Sequence, residues 1–133
     1  MGKAADYQIS SSVNDGVLEI VLTGDVTNDD FETINKKTIA IQQSMNIDNE
    51  LLDVRTLNGR LGIVKTYNFV RNLHSDRPQI NIAFVDIVDN VSYNSIHEAP
   101  LINAGLSFKC FSDIGAARDW LKSKQEGMNT AAL

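Results

Sequence analysis

Little in this chain advertises chemistry. A single cysteine, Cys110, stands among 133 residues, so no disulfide forms within the chain, and a lone thiol fits a reducing compartment such as the cytoplasm. The two histidines, His74 and His97, lack ligand spacing to each other and to Cys110, so the four-ligand pattern of a zinc site is missing. No apolar run approaches the roughly 20 residues of a membrane span. The opening Met1-Gly2-Lys3-Ala4-Ala5-Asp6 has no apolar signal-peptide core. There is no basic patch either: net charge is -5, and Lys36-Lys37 is the one adjacent basic pair. That balance argues against a phosphate-backbone footprint and so against nucleic acid as a partner. Gly59-x-x-Gly62 lacks the further glycines of a dinucleotide loop and the lysine of a P-loop. No Gly-x-Ser-x-Gly elbow occurs.

What is present is ordinary and well patterned. Hydrophobic residues make up 43% of the chain, enough for one domain with a real core. We expect that domain over 1–124, with 125–133 reading as a disordered tail because it is small, polar and beyond the last periodic pattern. Tyr7 to Val13 alternates apolar and polar as a half-buried strand does, Asn14-Asp15-Gly16 signals a tight turn, and Val17 to Thr23 is rich in β-branched residues. So short a turn predicts an antiparallel hairpin. Thr27 is a good N-cap for a helix, with Asp29 and Asp30 against its positive end. Phe31, Ile34, Thr38, Ile41 and Met45 mark its buried face to about Ile47, leaving Lys36, Lys37, Gln42 and Gln43 in water.

Glu50 to Arg55 suits a short buried parallel strand, followed by a loop over Thr56 to Arg60 with the turn pair Asn58-Gly59. Gly62 opens a second helix, with Ile63, Tyr67, Val70 and His74 on one face, and Asp76-Arg77-Pro78 stops it. Gln79 to Val88 is the most strand-like run. Ser92 to Ala104 is a third helical stretch that Pro100 should break or kink and Gly105 should cap. Leu106 to Phe111 alternates as a last strand. Ser112 can cap a final helix with Ile114, Ala117, Trp120 and Leu121 inward. Strand–helix alternation after the hairpin predicts an α/β fold: a five-stranded, mostly parallel mixed sheet with an N-terminal antiparallel hairpin and about four helices.

Several local motifs carry a family resemblance. They are Gly24-Asp25-Val26-Thr27, Leu52-Asp53-Val54-Arg55 with Gly59, Ala83-Phe84-Val85-Asp86, Glu98-Ala99-Pro100, Phe108-Lys109-Cys110-Phe111 and Ala117 to Leu121. In this order they resemble the STAS fold and, more closely, the SpoIIAA-like family, whose fold is related to the lipid-binding Sec14 domain. The match spans about Gly16 to Leu121. In anti-sigma-factor antagonists of the wider STAS group, a Ser or Thr opening the second helix is phosphorylated. Here that stretch is Arg60-Leu61-Gly62-Ile63, without a hydroxyl; Thr56 precedes it and Thr66 follows. The resemblance therefore implies a fold that binds a protein partner or a small apolar ligand, and it does not carry the phospho-switch across. Family members of this kind also make a homodimer reasonable, with no interface specified.

Candidate site residues cluster at strand ends, where open α/β sheets do their binding. Asp53 and Arg55 end one strand and pair either as a ligand-facing couple or, the reading we favour, as a loop anchor. Asp86 and Asp89 flank the end of another; two carboxylates are too few for a closed cation site, and Asp89 reads better as a helix cap. Thr56, Asn58 and Arg60 line the intervening loop. His74 suits a helix C-terminus, and Cys110 should face inward with Phe108 as an inert thiol. The reading is a non-enzymatic regulatory domain without metal or cofactor, docking a protein partner or small apolar ligand through these loops. Two further readings stay open. A lipid or hydrophobic-ligand carrier at a membrane surface needs a continuous cleft lined by Ile63, Tyr67, Val70, Ile96 and Leu101. A small hydrolase would need Asp86, His97 and Ser95 within hydrogen-bond reach.

Overall fold

Asp15 and Gly16 turn the chain with φ of 51° and 79°. The strands they join, β1 (Tyr7–Asn14) and β2 (Val17–Asp25), pair antiparallel from Asn14↔Val17 to Tyr7↔Gly24. The computed structural model describes residues 6–60, 63–73 and 79–131. After the hairpin come α1 (Asp30–Met45), β3 (Asn49–Asn58), α2 (Ile63–Leu73), β4 (Asn81–Val85), a 3-10 turn (Val88–Asn90), α3 (Val91–Asn103), β5 (Ser107–Phe111) and α4 (Ile114–Ala131). The strands lie in the order β1-β2-β3-β4-β5, and every pair after the first is parallel. The five-stranded mixed sheet expected from the alternation is the one observed.

Both faces of the central strands are apolar because both are covered. Leu18, Ile20 and Leu22 of β2, Leu52 and Val54 of β3 and Ile82 of β4 face Ile34 of α1, Phe69 and Val70 of α2 and Leu101 of α3. The alternate residues Val17, Leu51, Ala83 and Val85 face Ala117 and Leu121 of α4. Polar positions inside this frame are paired across strands. Ser107 Oγ donates to Asn81 Oδ1 (2.5 Å), Asn81 Nδ2 to Asn49 Oδ1 (2.9 Å), and Asn49 Nδ2 to the Leu121 carbonyl (3.3 Å), so three neighbouring strands are tied to α4. Glu50, between Leu18 and Ile82 in register, is fully buried, and neither carboxyl oxygen has a hydrogen-bond partner. Burial pushes its pKa up to about 8.

Several boundaries differ from the periodicity reading, each for a tertiary reason. β3 continues past Arg55 to Asn58, because after a bulge Thr56, Leu57 and Asn58 pair with Thr23, Gly24 and Asp25. β4 stops at Val85, and Val88 lies exposed in the 3-10 turn rather than in a strand. Gln42 is buried rather than wet: its amide turns inward and donates to the Ile47 carbonyl. Met45, placed on the buried face, is exposed in the last turn of α1. Asp29 rather than Thr27 precedes α1, and Thr27 instead donates its N–H to Asp30 Oδ2 at 2.8 Å. Asp113 rather than Ser112 caps α4, accepting the Ala116 N–H at 2.9 Å.

Pro100 does not break α3, which runs through it to Asn103. Only three helical residues follow the proline, and the helix then closes with Gly105 N–H donating to Ile102 O (2.9 Å) and Leu106 N–H to Leu101 O (3.1 Å). α4 passes Gln125, where composition suggested a tail, and the Gln125 amide donates to the Gly16 carbonyl at 3.3 Å. Gly62, His74 and the Asp76-Arg77-Pro78 stop lie outside the described residues, as do the side chains of Ile63 and His97.

Candidate functional site

The carboxyl ends of β3 and β4 are held together by one guanidinium. Gly59 (φ +106°) turns the chain out of β3 and aims Arg60 back beneath the strand ends. Arg60 Nε donates to Asp86 Oδ2 (3.1 Å) and Nη2 to Asp86 Oδ1 (2.7 Å). Nη2 also donates to Val54 O (2.9 Å), while Nη1 donates to Leu57 O (2.5 Å) and Gly59 O (2.7 Å). All five guanidinium donors are thereby used, in the planar fork that only arginine supplies. Asp86 is fully buried and accepts further bonds from the Ile87 N–H (2.8 Å) and Asn90 Nδ2 (3.0 Å). Burial pushes its carboxyl up, but the bonds from Arg60, Asn90 and Ile87 outweigh that and hold it below the usual carboxylate range.

Asp53 and Arg55 form a second two-point pair one strand away. Arg55 Nε donates to Asp53 Oδ1 (3.0 Å) and Nη2 to Oδ2 (2.8 Å), and the Arg55 N–H closes onto Oδ1 (3.1 Å). Asp53 is buried while Arg55 is exposed. Burial raises the Asp53 carboxyl, and Arg55 returns it to a value below normal. A third pair was not legible beforehand: Arg118 of α4 donates Nε and Nη2 to the two oxygens of Glu19 on β2, at 2.8 and 2.9 Å. A charged residue inside the apolar run of β2 was the available signal, but its partner lies 99 positions away.

Other predicted residues separate. Thr56 and Asn58 are exposed, and Asn58 Nδ2 donates to Asp25 Oδ1 at 2.8 Å. Asp89 is exposed within the 3-10 turn and does not cap α3, whose cap position is Asn90, because the inserted turn shifts the helix start by one residue. Asp86 and Asp89 thus do not converge, and among the described residues no group of three metal-ligand side chains does.

The cleft proposed over Ile63, Tyr67, Val70, Ile96 and Leu101 does not assemble from those of its residues whose side chains are described. Ile96 is 58% exposed, because it sits on the outer side of α3, and Leu101 is buried in the core away from the space. Val70 does line an apolar cavity, with Leu22, Leu52, Phe69, Phe84 and Phe108, but its volume is about 50 Å³. Cys110 borders the same cavity; its thiol donates to Asn94 O at 3.8 Å, and burial pushes its pKa strongly up. Against these inward-turned polar groups, Val64 at the start of α2 and Ile87 and Val88 after Asp86 are exposed at 68%, 42% and 66%.

No protein-family model matches the sequence, and no curated protein does. Solved structures match in shape. An anti-sigma factor antagonist from Mycobacterium paratuberculosis has a TM-score of 0.65 at 14% identity, over 90% of this chain and 97% of that one. An uncharacterized protein of the DUF3478 family with a SpoIIAA-like fold, from Shewanella loihica PV-4, has a TM-score of 0.57 at 18% identity, over 91% and 98%. The protein TM1081 has a TM-score of 0.55 at 13% identity, over 92% and 94%. The chain therefore has a SpoIIAA-like, STAS-type fold, as its motifs suggested. No helix among the described residues is long and apolar enough to cross a membrane.

Proposed function

We propose that this protein is a non-enzymatic regulatory domain that docks a protein partner at the carboxyl end of its sheet, in the cytoplasm. One observation carries the reading. The polar groups at that end, Arg60 and Asp86, are consumed in an internal clamp, while Ile87 and Val88 directly after Asp86, and Val64 at the start of α2, are left exposed. A pre-organised frame presenting apolar side chains suits a macromolecular partner. Thr56, Asn58 and Asp89 form its polar rim, and the Asp53–Arg55 pair braces the strand beneath. Small-molecule sites run to roughly 300–1,000 Å³, so a cavity of about 50 Å³ favours a protein over a lipid or other apolar ligand. The shared fold with an anti-sigma factor antagonist supports a regulatory role of this kind.

The test is partner retention from an extract of the native host, identified and quantified by mass spectrometry. Val64→Asp and Val88→Asp, at exposed positions, should each lower retention at least roughly tenfold, about 1.4 kcal/mol, with unchanged circular dichroism. Full retention by the double variant would reject the site.

A further inference from the structure

We infer that the outer edge of β1 is an interaction surface for a second copy of this chain, pairing antiparallel about Ser10. The hairpin sets the argument. Asp25 N–H donates to Asp6 O at 3.0 Å, and the register continues unbroken to Asn14↔Val17. In an antiparallel pair, hydrogen-bonded and non-hydrogen-bonded residues alternate. The even residues of β1 therefore bond to β2. The N–H and C=O groups of Tyr7, Ile9, Ser11 and Val13 point the other way, and no partner among the described residues takes them.

This edge lacks the usual protections. From Tyr7 to Asn14 there is no charge, no proline and no bulge. The opposite edge is shorter, charged and partly covered. β5 has five residues against eight, carries the exposed Lys109, and is closed by Glu98, whose Oε2 accepts the Cys110 N–H at 2.9 Å.

Self-complementarity selects the occupant and the register. A twofold axis through Ser10 sets Tyr7 opposite the second copy's Val13 and Ile9 opposite its Ser11, so every outward group of the four odd residues is used. Centring on Ser11 would oppose Tyr7 to the turn residue Asp15, and centring on Ile9 would strand Val13 beyond the described strand. In the Ser10 register no like charges oppose each other along β1. Val13, 47% exposed, comes to lie across from the edge of the second copy's Tyr7, a residue 8% exposed, on the same sheet face. Ser10 meets its own mate in a non-hydrogen-bonded pair, the closest cross-strand approach. The product is a continuous ten-stranded sheet made by strand addition.

Sedimentation equilibrium of the full chain over a range of concentrations tests this. The wild type should dimerise reversibly, and Ser10→Lys, which opposes two ammonium groups on the axis, should raise the dissociation constant roughly tenfold with unchanged circular dichroism. Ser10→Cys should cross-link into a dimer under mild oxidation, whereas Ser12→Cys, opposite Gln8, and the wild type with Cys110 alone should not. A wild type that stays monomeric throughout, or Ser12→Cys cross-linking as fast as Ser10→Cys, overturns the inference.

Discussion

Arg60 grips Asp86 through two bonds, at 3.1 and 2.7 Å, across 26 positions of sequence and the gap between two parallel strands. The same guanidinium also gathers the carbonyls of Val54, Leu57 and Gly59, so the loop after β3 and the loop after β4 form one unit. The site proposed for partner docking rests on that unit.

Removing either partner strands a buried charge. Arg60→Ala and Asp86→Asn should each cost about 3–5 kcal/mol in urea unfolding. Arg60→Lys should fail to rescue, because a point-charge ammonium does not reproduce the five-donor fork. A double replacement, Arg60→Met with Asp86→Leu, should be less destabilising than either single variant; a larger loss would show that the clamp contributes net stability.

The depressed carboxyls predict acid sensitivity. Asp86, held low against burial by Arg60 and its neighbours, and Glu19, held low by the Arg118 hydrogen bonds, have folded values below their unfolded ones. Their stabilisation is present above the unfolded values and is lost as pH falls through the folded ones. Thermal unfolding from pH 6 to pH 2 should show stability dropping below about pH 4, with Arg118→Ala flattening part of the fall.

Glu50 predicts the opposite limb. Its folded value, raised by burial to about 8, lies above the unfolded value of 4.5. Stability should decline by about 1.4 kcal/mol per pH unit between those values and level off above the higher one. Glu50→Met, which fits between Leu18 and Ile82, should remove this slope and raise stability at pH 8. An unchanged slope in urea titrations at pH 5.5, 7 and 8.5 would show that Glu50 is solvated in solution.

Two glycines with similar φ should respond differently. A Cβ at Gly59 would meet Val26 O at 2.4 Å, whereas a Cβ at Gly105 has nothing within 4 Å. Gly105→Ala should cost only the left-handed backbone penalty, about 1–2 kcal/mol, and Gly59→Ala clearly more. Equal losses in paired denaturation curves would mean the β3 exit relaxes.

Cys110 should be slow toward thiol reagents in the folded state and fast in urea, since burial raises its pKa and removes thiolate. Reaction followed by thionitrobenzoate release distinguishes the two; equal rates would place the thiol at the surface.

The order of elements was legible in the sequence because it depends on local period. The Asn14-Asp15-Gly16 turn, the alternation in β1 and the two-sided apolar character of β2 to β4 each follow from a few adjacent residues. Gly105 and the Asp53–Arg55 pair were readable for the same reason: their partners lie within a few positions. Tertiary structure alone decided where charges at a distance met. Arg60 found Asp86, and Arg118 found Glu19, because parallel crossovers bring strand ends and α4 together, and no periodicity encodes that. Pairing with β2 carried β3 on to Asn58, beyond its apolar run. Packing of α1 against the β-sheet buried Gln42, a residue whose polarity in a sequence reads as solvent.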